Sequence, residues 1–337
     1  MAPFLALVGC AAPRRAPELH GNVAPPQRSS VTAASEPAPS AAAPAARVTP
    51  GDAGPPGGTF VASECGKIPC RLFSDERAAF ATLLDPLPAV LAIGESHAQS
   101  GSVVEPSVRR FTRDLLPMLA GRASDIVIEL MLPNPKCAPD SKKARQEQKV
   151  VTEHQAKTDQ NDYVALGSRA RALGVRPHAL EPTCADLSHI AEAGPDVVTV
   201  SLDVVTRLAT ETISRFLSAN VAAKDARLVL AYGGLMHNDL APRPERARWS
   251  FGPTMKEKTS DRYIEVDLVA PEQIEDSPTW RSLPWVTGFD RDAHPDRAVL
   301  LSPSPRSYVL VFRRSVTSPA PNGSAEPTSS VPSASPR

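Results

Sequence analysis

The sequence predicts an α/β domain with a mainly parallel sheet and helices on both faces, flanked by disordered Pro-rich N- and C-terminal tails. Three observations lead there. Short uninterrupted apolar runs recur along the chain, as strands buried on both faces do. Helical patterns stand between them, the alternation that builds a parallel sheet. The prolines crowd the ends: of 36, eleven fall in residues 1–58 and five in residues 316–337. Those ends consist largely of Ala, Pro, Ser and Gly, with too little apolar surface to offset the entropy of ordering. Residues 59–315 remain as one α/β domain, long enough for a proper core. No sustained heptad or self-similar period occurs, which excludes a coiled coil or a repeat array.

Along that domain, residues 59–62 and 71–73 flank Cys65-Gly-Lys-Ile-Pro-Cys70 as a short hairpin. Ser74 caps a helix to about 84. The apolar run 89–94, bounded by Pro88 and Gly94, is a buried strand. A helix over 107–120 leads to a second buried strand, 125–130. Helices over 142–157 and 162–173 precede a third strand, 175–180. A long amphipathic helix over 203–223 carries Val204, Leu208, Ile213, Phe216 and Leu217 as apolar positions. The run 227–232, ended by Gly233-Gly234, is a fourth strand, and 263–269 and 308–312 are further strands.

Lys plus Arg and Asp plus Glu both number 37, so no net field favours nucleic acid or an anionic surface. No basic stripe with interleaved aromatics exists, and nucleic acid is not an expected partner. No run of 18 apolar residues occurs, so no transmembrane helix is expected. Cysteines stand at 10, 65, 70, 137 and 184. Leu7-Val8-Gly9-Cys10 resembles the bacterial lipobox, whose cysteine is acylated. Residues 1–10 then read as a truncated-looking lipoprotein signal segment and 11–58 as a disordered tether. A flexible chain of that length spans about 40 Å. Residues 316–337 read as a disordered Ser/Pro-rich tail. The four other cysteines suit structural disulfides in an oxidising compartment rather than a zinc site; one bridge could cross the 65–70 hairpin and another could join 137 to 184, a connectivity that spacing leaves open. The expected localisation is the cell envelope, with a lipid-anchored domain at the outer membrane, periplasm or cell surface.

In open α/β sheets, ligands bind beyond the carboxyl ends of the strands. The first strand ends in Gly94-Glu95-Ser96-His97, the second carries Glu129, Glu181 follows the third, and the fourth leads into Gly233-Gly234-Leu235-Met236-His237. Such a group could hold a divalent metal through Glu95, His97, Glu129 and His237. Alternatively, a carboxylate could orient a histidine that deprotonates water. Ser96 lacks the flanks of a nucleophile elbow. His178 lies inside the third strand and reads as a face residue. His154, His189 and His294 stand in polar contexts and read as surface.

The pattern Gly94-Glu95-x-His97 after an apolar strand, with Glu129 and a Gly-rich His237 loop, resembles the superfamily that unites erythromycin esterases, ChaN-type haem-binding lipoproteins and TIKI/TraB proteins. The resemblance covers roughly 87–270 and is closest to the ChaN-like branch, since one residue separates Glu95 from His97. It implies a site of Glu95, His97, Glu129 and His237. Arg109 or Arg110 would be the counterpart of the esterase arginine, an oxyanion partner. The esterase branch implies metal-free water activation, the TIKI branch a metal-dependent peptidase, and the ChaN branch haem or iron uptake, where Tyr232 or a histidine would be the axial ligand. The expected function is a hydrolase acting on an ester or amide; the alternative is a haem- or iron-binding uptake lipoprotein without catalysis. The expected partners are a small-molecule substrate or haem, and a lipid anchor. The cofactor is a divalent metal ion, haem or none.

Overall fold

The computed structural model describes residues 59–152, 155–156, 158–275 and 277–315. The expected signal segment with Cys10, the tether, the C-terminal tail and His154 lie outside the described residues.

The strands are β1 (Val61–Glu64), β2 (Pro69–Phe73), β3 (Val90–Glu95), β4 (Ala123–Met131), β5 (Arg176–Leu180), β6 (Leu228–Gly234), β7 (Tyr263–Val269), β8 (Ala298–Ser304) and β9 (Ser307–Val311). They form one nine-stranded, mostly parallel sheet in the order β1-β2-β8-β9-β7-β3-β6-β4-β5. The six strands from β9 to β5 run parallel, and β8, β2 and β1 extend the sheet by antiparallel pairing. All six residues of β3 are buried, which is why its sequence shows no alternation.

Successive side chains of the central strands enter two apolar clusters. One takes Leu91, Ile93, Ile126, Leu228 and Tyr232, together with residues of helices α1 (Glu76–Ala81) and α2 (Ser107–Arg110). The other takes Val90, Ala92, Val127, Val229 and Ala231, together with Ala144 of α3 (Ala138–Glu147). After α3 come the short α4 (Lys149–Thr152) and then α5 (Asp159–Ala172), whose Tyr163, Leu166 and Ala170 join the first cluster. Helices α6 (Cys184–Glu192) and α7 (Val197–Ala223) pack into the second. Beyond them lie α8 (Leu235–Asn238), α9 (Gly252–Lys258) and α10 (Pro278–Arg281). No helix among the described residues is long and apolar enough to cross a membrane.

Several elements differ from the sequence reading for identifiable reasons. The helix expected over 107–120 is α-helical only to Arg110, then makes a π-helical turn (Phe111–Leu115) and a 3-10 turn (Leu116–Leu119). Pro117 lacks the N–H that an α-helix would need there. The helix expected over 142–157 is α3 and α4, broken at Gln148. Helix α6 lies where no element was expected, although Thr183 and Asp186 form a reciprocal capping box at its start. The same holds for strand β8, since Ser302-Pro303 falls inside it.

Disulfides join Cys65 to Cys70 across the β1–β2 hairpin and Cys137 to Cys184 between the β4 exit and the start of α6. The second closes a loop with a sequence separation of 47, the first a loop of 5. Loop-closure entropy then assigns about 4 kcal/mol to the longer bridge and about 2 kcal/mol to the shorter. In urea denaturation, C137A/C184A should lower the unfolding free energy more than C65A/C70A does.

Candidate functional site

Because β3, β6 and β4 are consecutive in the sheet, their carboxyl ends bring Glu95, the β6–α8 junction and Glu129 side by side. Glu129 owes its aim to an irregularity. The β4–β5 register shifts between Ile128 and Met131, and β4–β6 pairing ends at Ile128 opposite Tyr232. Glu129 therefore sits in a local bulge, a common way of re-aiming one side chain at a strand end. The glycines of β6 make the space. A Cβ on Gly233 would lie 2.3 Å from Glu129 Oε2. One on Gly234 would lie 3.1 Å from His97 Nε2 and 3.5 Å from Glu129 Oε2, so both groups close on the same point.

Glu95 is 3% exposed and accepts two phenol hydrogen bonds, from Tyr163 Oη to Oε1 at 2.9 Å and from Tyr232 Oη to Oε2 at 2.7 Å. Burial raises both phenols well above their ordinary value, and Glu95 raises them further, so they stay donors. Tyr163 Oη also lies 3.1 Å from His97 Nδ1. With the phenol proton committed to Glu95, that contact requires His97 Nδ1–H to donate to the tyrosine oxygen. Nε2, beside Gly234, is left as the other ring nitrogen of a side chain that is one quarter exposed. Burial alone would lower the imidazole, but Glu95, whose Oε1 lies 3.6 Å from Nδ1, and the charges of Glu129 and Asp159 outweigh it and raise His97 to about 9.

The second histidine lies deeper. His237, on α8, is 4% exposed, and its Nε2 stands 3.5 Å from Glu129 Oε1. Its Nδ1 lies 2.9 Å from the Trp249 carbonyl, an acceptor only, so Nδ1 carries a proton. Thr206 Oγ1, which itself donates to that carbonyl at 2.9 Å, stands 3.0 Å from the same nitrogen. Burial lowers His237, yet Glu129 and the Trp249 carbonyl turn the net shift upward. Burial would raise Glu129, but His237, His97 and a 2.6 Å hydrogen bond from the Gly234 N–H bring it down to about 2.

His97 and Glu129 both line a cleft of about 180 Å³, walled also by Tyr163, Asp159, Arg145 and Gln148. Glu129 also lines a small apolar pocket beneath, with His237. It is the wall between an outer and an inner layer of the site.

Of the residues singled out in the sequence, Glu95, His97, Glu129 and His237 are brought together. The arginines are not. Arg109 pairs with Asp162 at 2.9 Å and lines a separate surface groove. Arg110 is buried against Glu76 at 3.2 Å, with its guanidinium 4.1 Å from the Phe312 ring centre. Neither lines the cleft; Arg145 does. Glu181 is exposed, as is His189. His178 bonds Asp125 at 2.8 Å and stacks on Phe216, a structural role on an edge strand.

The residues do not fit the two cofactors considered. Among the described residues, the one set of three or more donors close enough for a metal is Cys65, Cys70 and His294, whose thiols form a disulfide. Glu95, His97, Glu129 and His237 do not converge in that way, and Tyr163 and Tyr232 occupy the Glu95 oxygens. Tyr232 is no haem ligand in this arrangement. It is 2% exposed, its ring is 4.9 Å from Phe111, and its hydroxyl belongs to Glu95.

The raised histidine gives a signed stability profile. His97 in the folded state binds its proton about as far as pH 9, against 6.5 for the ordinary value. Its contribution to stability is complete below 6.5 and lost as pH rises towards 9. The difference in urea midpoint between wild type and H97Q should therefore be largest near pH 6 and shrink by pH 9. An unchanged difference across that window contradicts the Glu95–His97 geometry.

No family model, no curated protein and no solved structure matches this chain.

Proposed function

We propose that the domain is a hydrolase that activates water on an ester or amide, and that it belongs to the superfamily its Glu95-x-His97 pattern resembles. A sheet sheathed by helices on both faces is part of this reading, supported by the two apolar clusters that divide its strands. The carrying observation is His97, with Nδ1 3.6 Å from Glu95 Oε1, on the wall of a cleft that Glu129 also lines.

Glu95 and Tyr163 fix the ring through Nδ1, so Nε2–H is aimed into the cleft. There it donates to the carbonyl oxygen of the substrate, which gains charge as water adds to the acyl carbon. Such a preorganised donor in a partly dry site lowers the barrier where the charge develops. Glu129, ionised and anchored by the Gly234 N–H, sustains the imidazolium and orients the water. His237 acts from behind by fixing Glu129. Arg145 and Gln148 make the wall polar, which suits a short or polar acyl group.

The proposed setting is the cell envelope. Two disulfides are what an oxidising compartment maintains, and the lipobox-like segment ending at Cys10 would supply the anchor.

On p-nitrophenyl acetate, H97N and E129Q should each lower kcat about 10²-fold or more, the usual scale for loss of a proton-transferring or charge-stabilising group. Circular dichroism confirms the fold. Wild-type rates in both variants refute the reading. Hemin added at micromolar concentration should give no Soret band; a band lost in Y232F would instead establish the haem-carrying function.

A further inference from the structure

Hydrolysis needs a group to take the proton of the attacking water, and the two histidines are poorly placed for it. His97 and His237 are both held in the protonated direction by their carboxylate partners. Glu129 is engaged by the Gly234 N–H and by His237. A weakly basic, fully engaged carboxylate is an inefficient proton acceptor near neutral pH.

One further carboxyl lines the same cleft. Asp159 is the first residue of α5, is 7% exposed, and has an Oδ2 that is buried without any hydrogen-bond partner. Four residues on, Tyr163 shares its helix face and reaches Glu95 and His97. A buried carboxyl oxygen without a donor is destabilising, so a folded protein retains few of them without a reason. Asp162 also has a buried Oδ2 without a partner, but its Oδ1 is held by Arg109 and it lines the separate groove outside, not the cleft.

We propose that Asp159 is the general base of this cleft, taking the proton of the attacking water while His97 faces the acyl oxygen. The inference rests on the hydrolase reading above. The water oxygen bonds to the acyl carbon, its proton passes to the Asp159 carboxylate, and the carbonyl electron pair moves onto the oxygen against His97 Nε2–H. When that pair returns, the bond from carbon to the leaving oxygen or nitrogen breaks. The leaving atom takes the proton from Asp159, giving an acid and an alcohol or amine with no other reactant.

The charges around Asp159 suit this task. Burial raises it, His97 opposes that rise, Glu95 and Asp162 add to it, and Arg109 opposes it, leaving the group at about 6. With His97 at about 9, the productive pair of an ionised Asp159 and a protonated His97 exists between those values. The profile of kcat/KM should thus be a bell with limbs near pH 6 and pH 9.

The test compares wild type, D159N, D159E and H97N on p-nitrophenyl acetate from pH 5 to 10. D159N should lose about 10²-fold or more in kcat with KM within threefold, and lose the acid limb. It should melt no lower than wild type, because the substitution removes an unpaired buried charge. D159E should recover at least tenfold of the loss. D159N within threefold of wild type while H97N is inactive overturns the inference and leaves the hydrolase reading standing. Wild-type rates in both D159N and H97N overturn the two together. Should D159N fail to fold, a wild-type profile without a limb near pH 6 overturns the inference by itself.

Discussion

A carboxyl group at the end of an apolar strand is tolerable only if hydrogen-bond donors or cations come to it. Glu129 is that group, and much of the site is arranged around it. The bulge in β4 turns it off the ladder, the Gly234 N–H holds one oxygen, and His237 stands against the other. Gly233 must lack a side chain because the Glu129 carboxyl occupies its place. His97 completes the set from the β3 side, so that one carboxylate faces two imidazoles. Each of these groups would be unfavourable alone in a partly buried site; their mutual compensation keeps them charged.

That compensation divides the site into two layers with different work. The inner layer of His237, Thr206 and the Trp249 carbonyl is buried and fixes Glu129 from behind. In the outer layer, Tyr163, Tyr232 and Glu95 leave His97 only Nε2 to present. With its titration raised to about 9, His97 is a donor rather than an acceptor at neutral pH. The proton acceptor must then lie elsewhere on the cleft wall, which gives the otherwise unsatisfied Asp159 a task.

The strand frame and the four strand-end residues were legible in the sequence for one reason. Parallel strands announce themselves as short apolar runs, and the polar residues that end those runs fall on one side of the sheet. The helical contributions were not legible. Tyr163, Asp159, Arg145 and Thr206 reach the site by tertiary packing of α5, α3 and α7, and nothing local distinguishes them from other polar residues on amphipathic helices. A carboxyl and a phenol spaced four apart on α5 was the nearest available signal. The arginines failed for a related reason. Adjacent helix positions diverge by about 100°, so Arg109 faces an outer groove and Arg110 lies under α1, and neither reaches the cleft. Helix α6 is short, but its capping box at Thr183 and Asp186 and its apolar Leu187, Ile190 and Ala191 were readable.

The proposed chemistry depends on His97 being an imidazolium with both ring nitrogens protonated at neutral pH. Ring nitrogen and carbon shifts of His97, followed by NMR in protein labelled at histidine and assigned with H97Q, measure this directly. The expected result is a ring protonated through pH 7 that titrates at about 9, with Nδ1–H retained above that value. A neutral ring at pH 7, titrating near the ordinary 6.5, would contradict it.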